Sequence, residues 1–419
     1  MKNSVIGKHL LKLLNYDNSY LKENLMTKST SIILQPEYVE HFQCDGTKCN
    51  AKCCKNWRIN IDIDTYKKYQ RIKNPNIRKK ILSSIEPNII QQGYMQVKLN
   101  SDGACPLICT DTLCYIQRNF GADALAPICQ SYPRIVRYIG DCQLRTLSMT
   151  CPVATEAALF SVHGMDIKNI LPGNESNSWK IALKSQKLVD NIDAKLAANV
   201  ILGSLSILQN TFYTLEQQMV ILGLFLDKSD ELKNLPKGAE AIADLALFYS
   251  SDDFQIQIQD IFANWVFYPT AHGQLLTGIL NFLQEKKAFL DVSLLIKQAQ
   301  DYEENYPNFR KLTEDTFGEA INRYWQHEFL CHGFPFFMKG SFLHNYFAYL
   351  IAYKVWEMYL YGFYYAYGGK ITKNDFFDLI TRYSKKLDHI NAFVDYLVKY
   401  TAPFEAEPMK LMQVLLRLN

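Results

Sequence analysis

Cysteine is the residue type whose number and spacing in this chain could do chemistry. Ten of the eleven cysteines lie between residues 44 and 151, and Cys331 stands alone. The ten form three groups: Cys44-x4-Cys49-x3-Cys53-Cys54; Cys105-x3-Cys109-x4-Cys114 followed by Cys129; and Cys142 with Cys151. Cysteines in this number could form disulfides, bind zinc or carry an iron–sulfur cluster.

Disulfides suit this chain least. They stabilise small domains in oxidising compartments, whereas a chain of 419 residues can bury a large core of its own. The first 30 residues contain five lysines and no apolar run followed by a cleavage signal. We therefore expect a cytoplasmic protein whose thiols stay reduced.

The spacing of the cysteines does not distinguish a zinc site from an iron–sulfur cluster. Zinc favours Cys-x2–4-Cys pairs, and Cys49/Cys53 and Cys105/Cys109 have such a spacing, but the chain contains no pair of Cys-x2-Cys knuckles. A four-iron cluster takes four thiolates, and this region offers more than enough. Thiolate-rich sites select zinc, copper(I) or iron–sulfur clusters, so the residues predict a metal centre without naming the metal.

Four blocks in the cysteine-rich region resemble the motifs of the flagellin lysine-N-methylases, and they occur in the family's order. The blocks are Phe42-Gln43-Cys44-Asp45-Gly46-x-x-Cys49-x-x-x-Cys53-Cys54-x-x-Trp57-x-Ile59-x-Ile61-Asp62; Cys105-Pro106-Leu107 with Leu113-Cys114-Tyr115-Ile116-Gln117; Cys129-x-x-Tyr132-Pro133-Arg134; and Leu147-Ser148-Met149-x-Cys151-Pro152. The first three are shared more loosely with a wider set of zinc- or iron-chelating cysteine-cluster domains. The last block favours the narrower family.

The resemblance implies a cytoplasmic enzyme that moves a methyl group from S-adenosylmethionine to surface lysines of flagellin and binds a [4Fe-4S] cluster. Eight cysteines match the family's pattern and are the predicted metal ligands: Cys44, Cys49, Cys53, Cys54, Cys105, Cys114, Cys129 and Cys151. Cys109 and Cys142 fall outside the pattern. Because eight thiols exceed the needs of one four-iron cluster, some of them must have another role.

The rest of the chain predicts a mainly α protein. We expect an N-terminal extension over residues 1–32, a small cysteine-rich α+β metal-binding region over 33–160 and a helical region over 161–419. Alternation near residues 59–63 and 94–99 predicts strands, and Gly140-Asp141 predicts a hairpin turn. A basic amphipathic helix is expected at residues 6–24. Further helices are expected at residues 66–71, with an N-cap at Asp64-Thr65, at 75–90 and at 390–400. Apolar residues at helical spacing recur from residue 179 to the end of the chain.

Composition and charge argue against a nucleic-acid partner and against a membrane span. The net charge is +3 and charged residues make up 21% of the chain, which argues against nucleic-acid binding. The aromatic segment 342–367 is interrupted by His344, Lys354 and Glu357, so we expect no membrane span there. Its rings are expected in the core. A more specific alternative is that some of these aromatic rings line a channel for a substrate lysine, because aromatic faces attract ammonium groups.

Sequence motifs identify neither the methyl-donor site nor a catalytic base. The chain has no Gly-x-Gly-x-x-Gly motif after a strand, and no Cys-x3-Cys-x2-Cys spacing of the radical S-adenosylmethionine type. Arg134, Arg137 and Arg145 could offset the charge of a cluster or hold the carboxylate of S-adenosylmethionine, with surface solvation as the alternative. The rival class is a non-enzymatic protein: a zinc- or iron–sulfur-binding scaffold, or an electron carrier.

Overall fold

The computed structural model describes ten ranges of the chain: residues 32–44, 49, 52–91, 93–162, 164–170, 176–183, 187–189, 191–285, 292–387 and 407–418. The helices predicted at residues 6–24 and 390–400 lie outside these ranges, as does the extension predicted at 1–32 apart from its last residue. Across the described ranges, no helix has the length and apolar content that crossing a membrane requires. The predicted division at residue 160 remains a prediction.

In the described N-terminal residues, eight strands form two sheets. They are β1 (Ile32–Pro36), β2 (Asn60–Asp62), β3 (Ile85–Pro87), β4 (Tyr94–Val97), β5 (Arg134–Ile139), β6 (Cys142–Leu147), β7 (Ile167–Asn169) and β8 (Lys187–Val189). The larger sheet has the order β7-β1-β6-β5-β8 and the smaller one the order β2-β4-β3. The predicted hairpin is confirmed, because β5 and β6 pair antiparallel with Ile139 opposite Cys142. Gly140 makes this turn with φ of 56°.

Five short helices accompany these strands. They are α1 (Ile63–Gln70), α2 (Pro75–Ser83), α3 (Tyr115–Phe120), α4 (Pro127–Ser131) and α5 (Pro152–Phe160). The expected cap of α1 at Asp64 was wrong. Asp62 is the cap, and its Oδ1 accepts a hydrogen bond from the backbone N–H of Thr65 at 2.9 Å. The helix expected over residues 75–90 ends at Ser83, since Ile85 pairs with Val97 in the small sheet.

Helices make up most of the remaining described chain, which confirms the mainly α prediction. They are α6 (Asn177–Ala182), α7 (Ala194–Leu208), α8 (Leu215–Leu232), α9 (Gly238–Tyr249), α10 (Asp252–Ala263), α11 (Pro269–Glu285), α12 (Val292–His332), α13 (Phe342–Ala366), α14 (Lys373–Leu387) and α15 (Pro408–Leu415). The aromatic segment forms α13, whose side chains are buried at nearly every position from Phe342 to Gly362. The prediction that its rings pack in the core is confirmed.

The long helix α12 joins the helical part to the larger sheet. His327 Nε2 donates a hydrogen bond to the Leu147 carbonyl of β6 at 2.8 Å, and Arg137 Nε of β5 donates to the Cys331 carbonyl at 3.2 Å. Burial alone would raise the pKa of Glu328, but hydrogen bonds with His327 and His332 overcome that effect and lower it to about 2. These polar side chains therefore connect the end of α12 to the strand that leads to Cys151.

A buried histidine makes the stability of the helical part sensitive to acid. His272 is 2% exposed, and its Nδ1 donates a hydrogen bond to the Val414 carbonyl at 2.7 Å. Burial, aided by the positive charge of Lys354, lowers the pKa of His272 to about 3. In the unfolded chain a histidine has a pKa of about 6.5. The folded protein therefore keeps this imidazole neutral at pH values where the unfolded chain takes up a proton.

We expect His272→Asn to reduce the loss of stability in acid. As pH falls from about 6.5 toward 3, protonation of the unfolded state removes roughly 1.4 kcal/mol of wild-type stability per pH unit through this group. Asparagine keeps a donor for the Val414 carbonyl but does not titrate. Urea unfolding at several pH values measures the difference. Equal pH slopes for variant and wild type would contradict the assignment.

Candidate metal centre

The eight cysteines predicted as metal ligands all lie in the wall of one cavity, which has a volume of about 150 Å³. The set consists of Cys44, Cys49, Cys53, Cys54, Cys105, Cys114, Cys129 and Cys151. Cys109, Cys142 and Cys331 do not line it. The fold thus brings together the residues that share the family motif and leaves out the three that do not. Their role as ligands remains a prediction.

Backbone pairing brings the first two cysteine groups together. Cys53 and Cys54 lie in a 3-10 turn, with their sulfurs 3.7 Å apart. The chain after this turn pairs with the segment before Cys105 through a bridge between Lys55 and Ala104. The Cys105 backbone N–H also donates to the Cys54 carbonyl at 2.8 Å. The second group is therefore held directly beside the first.

Three more thiols of the set lie in short helices or directly before them. Cys114 is the residue before α3, Cys151 is the residue before α5, and Cys129 lies within α4. The loops that carry the last two are joined by a hydrogen bond of 3.0 Å between the hydroxyls of Tyr132 and Thr150. Each short helix therefore delivers one sulfur to the same cavity.

The thiols sit close enough to influence one another electrostatically. Burial raises the pKa of Cys105 to about 11 and of Cys151 to about 12, and the charge on Cys53 adds to both effects. Burial also raises the pKa of Cys129, with further contributions from Cys114, Cys105 and Cys53. The pKa of Cys54 is raised first by its hydrogen bond with Cys53 and then by burial. Several thiolates could coexist here only if a cation balanced them.

Backbone N–H groups point at three of these sulfurs. Leu107 donates to Cys105, Ile116 and Gln117 donate to Cys114, and Val153 and Ala154 donate to Cys151. These bonds lower the thiol pKa against the effect of burial. Hydrogen bonds to sulfur are one of the means by which a protein adjusts a metal–thiolate centre.

The donor set fits a thiophilic metal centre. Thiols are the ligands that select zinc, copper(I) or iron–sulfur clusters, and their number here exceeds the four that one zinc ion takes. The cavity wall is otherwise largely apolar, with Trp57, Ile59 and Tyr132 among its side chains, which limits the access of water. Within the described ranges, no three side chains of the metal-binding types already converge on a single point.

The three arginines expected near the cysteines lie outside the cavity wall. Arg134 packs over Trp179 with 5.5 Å between guanidinium carbon and ring. Burial lowers the pKa of Arg134, and the charge of Cys44 partly offsets that effect. Arg145 also packs over Trp179, with its guanidinium carbon 5.4 Å from the ring. Arg137 donates a hydrogen bond to the Cys331 carbonyl at the end of α12. Arg134 is thus the one whose position bears on charge at the site.

A glycine fixes the pairing between the first two cysteine groups. Gly103 has φ of +76°, and a Cβ at this position would lie 1.9 Å from Asn56 Oδ1. Asn56 donates its backbone N–H to the Gly103 carbonyl at 2.9 Å. A side chain at residue 103 would therefore have to displace the Asn56 side chain, whose Cγ also lies 3.0 Å from the place of that Cβ.

We expect Gly103→Ala to lower both stability and metal content. The positive φ alone disfavours alanine by about 1–2 kcal/mol, and the clash with Asn56 adds to that. Gly121→Ala is the matched control, because Gly121 has φ of +81° but no neighbouring atom within 4 Å of the place that an alanine Cβ would occupy. Thermal unfolding and metal analysis of both variants measure the effect. Equal losses in the two would contradict a role for the close approach.

Comparison with known proteins identifies the class. The profile of the FliB lysine N-methylase C-terminal domain matches residues 203–412. The flagellar biosynthetic protein FliU of Salmonella muenchen is 35% identical over 133 residues, which is 30% of this chain and 76% of that protein. The lysine-N-methylase of Salmonella choleraesuis is 35% identical over 133 residues and that of Salmonella typhimurium 34%, each match covering 32% of the relative. No solved structure matches the chain.

These matches place the chain among the lysine N-methylases. In particular, the chain belongs to the FliB lysine N-methylase family, as its cysteine motifs predicted. The matched C-terminal domain runs from α7 to α15, whereas the cysteine-lined cavity lies before it in the chain. Family membership supports protein-lysine methylation as the class of activity.

Proposed function

We propose that this protein transfers methyl groups from S-adenosylmethionine to lysine ε-amines of flagellin and that it carries a [4Fe-4S] cluster in the cysteine-lined cavity. The observation that carries the proposal is the gathering of all eight motif cysteines around one cavity, in a chain of the lysine N-methylase family. Flagellin is the proposed substrate because one relative is named a flagellar biosynthetic protein.

The cluster ligands would come from the eight cysteines, and Cys53 is close enough to several of them to affect their pKa. Its charge acts on the thiols of Cys105, Cys129 and Cys151, which come from different segments of the chain. A bound cluster would supply positive charge to offset the thiolates and would cross-link these segments. The chain itself contributes the apolar wall and the backbone N–H groups directed at sulfur.

The reaction itself requires a neutral amine. A lysine ammonium with a pKa of about 10.4 must lose its proton before nitrogen can attack a methyl sulfonium. Burial in a poorly hydrated site favours the neutral amine, and a carboxylate or hydroxyl within hydrogen-bond reach can accept the proton. The cytoplasm is the proposed location, because a set of eight thiols kept for metal binding requires a reducing compartment.

Analysis of iron, zinc and acid-labile sulfide in protein purified without oxygen tests the metal assignment. We expect brown protein with about four iron and four sulfide per chain. Colourless protein with stoichiometric zinc, expressed in iron-replete medium, would contradict the cluster and favour the zinc-bound alternative. Methylation of purified flagellin tests the activity separately.

A further inference from the structure

A second cavity, of about 380 Å³, lies between α8, α12 and α13. All of its wall residues fall between Thr211 and Leu360, inside the matched lysine N-methylase domain. Its volume lies within the range of about 300–1,000 Å³ that small-molecule sites occupy. It is separate in sequence from the cysteine-lined cavity, with which it shares no wall residue.

Carboxylates dominate the charge of this second cavity. Glu314 and Glu319 stand at its exposed rim, and Glu216 and Glu357 are buried in its depth. Arg310 is the cation among the wall residues. Lys354 and Arg323 do not line the cavity but pair with Glu357 and Glu319. When they are counted with Arg310, the four carboxylates still outnumber the three cations by one. The cavity therefore favours a positively charged ligand.

The two buried carboxylates are held in fixed positions. Arg310 makes a two-pronged ion pair with Glu216, which also accepts a hydrogen bond from the Tyr353 hydroxyl at 2.6 Å. Glu357 Oε2 accepts from Lys354 Nζ at 2.6 Å and from the Tyr302 hydroxyl at 3.0 Å. Both of these hydrogen bonds go to Oε2, and Oε1 of Glu357 takes part in neither.

Two further polar atoms on the wall residues are buried without a partner in that part of the chain. They are the indole N–H of Trp356 and the hydroxyl of Tyr213, whose residues are 1% and 5% exposed. A buried polar group without a partner costs about 1–3 kcal/mol, which a ligand can recover by bonding to it. Trp356 offers a donor, so it requires an acceptor on the ligand.

Aromatic rings supply the apolar surface. Phe309, Tyr353 and Trp356 contribute wall area from two facing helices. Such faces can stack on a flat heterocycle and attract a cation by its interaction with the ring electrons. Together the wall therefore suits a ligand with a cationic centre, hydrogen-bond acceptors and a flat ring. A lysine side chain has the first of these features but lacks the other two.

We propose that this second cavity binds the methyl donor, a nucleoside sulfonium of the S-adenosylmethionine type. The proposal rests on the proposed function and adds to it the location of the donor. Glu357 offers its second carboxylate oxygen to the sulfonium or the amino group, and Trp356 donates to an acceptor of the ligand. Arg310 acts indirectly, because its ion pair holds the Glu216 carboxylate in place.

Titration calorimetry with S-adenosylmethionine and the full chain, purified without oxygen, tests the location. We expect Trp356→Phe to weaken binding about tenfold, the value of one hydrogen bond to a buried donor. Trp325→Phe is the matched control: Trp325 is equally buried, its indole N–H is also unpartnered among described residues, and it packs edge-on against Trp356 outside the wall. The control should bind as the wild type does.

A second variant keeps the test valid if core aromatic changes impair folding. Glu357→Gln combined with Lys354→Met removes a buried ion pair as a whole, which avoids leaving one charge alone. We expect it to weaken binding of S-adenosylmethionine more than that of S-adenosylhomocysteine, which lacks the positive sulfur. Equal weakening of the two ligands would contradict the role of Glu357.

Three outcomes would overturn the donor site. Trp356→Phe could bind the donor as tightly as the wild type, cysteine variants of the first cavity could abolish donor binding instead, or butylamine, a mimic of the lysine side chain, could displace the donor competitively. Each readout is independent of turnover. A protein that methylates flagellin while Trp356→Phe binds normally refutes the donor site alone, and a protein that binds the donor here without methylating flagellin refutes the proposed substrate alone.

Discussion

Replacing Cys53 by alanine should remove most of the iron from the protein. Cys53 is one of the eight predicted ligands, and its charge acts on the thiols of Cys54, Cys105, Cys114, Cys129 and Cys151. A four-iron cluster needs four thiolates, and we expect iron to fall from about four to less than about one per chain. Metal analysis and the visible absorption spectrum measure this loss.

Two other cysteines provide matched controls for that experiment. Cys109 belongs to the same sequence group as Cys105 and Cys114, and Cys142 is fully buried in β6, yet neither lines the cavity. Cys109→Ala and Cys142→Ala should retain full iron content. If all three variants lost iron equally, the effect would reflect general destabilisation and the ligand role of Cys53 would be contradicted.

Replacing Arg310 by methionine should destabilise the helical part by about 3–5 kcal/mol, because it leaves the Glu216 carboxylate buried without its countercharge. Glu216 is 1% exposed, and its remaining strong partner is the Tyr353 hydroxyl. The pair joins α8 to α12, which are far apart in sequence, so the loss should affect the packing of both helices. Denaturant unfolding measures the change.

The exposed pair Lys195–Glu240 is the control for the buried one. Its atoms are 2.8 Å apart, but both side chains are about half exposed, so Lys195→Met should cost less than about 1 kcal/mol. The double variant Glu216→Gln/Arg310→Met should recover part of the stability lost in Arg310→Met, since no lone charge remains. A double variant less stable than the single one would contradict the ion-pair explanation.

The sequence predicted those features that depend on local pattern or on motif. The β5–β6 hairpin followed from Gly140-Asp141 between alternating runs, and α13 followed from its helical, aromatic pattern. The set of eight cavity cysteines was predicted by resemblance to family motifs. In each case the information lies within a few adjacent residues or in the identity of the motif.

Features that depend on long-range packing could not be predicted. The bridge between Lys55 and Ala104, which aligns two cysteine groups, has no signature in either segment. Arg310 lies among polar residues of α12 and resembles a solvated position until Glu216, 94 residues earlier, is placed against it. The aromatic segment suggested a cation site, but its carboxylate and its indole N–H became visible as parts of one site only when three helices were assembled around the second cavity.

The most direct test of the proposed function is mass spectrometry of flagellin after incubation with the anaerobically purified protein and S-adenosylmethionine that carries a deuterated methyl group. We expect labelled methyl groups on flagellin lysine ε-amines, with the label lost when the metal centre is removed. Unlabelled flagellin, in a reaction where the protein retains its full iron content and binds S-adenosylmethionine, would contradict the proposed function.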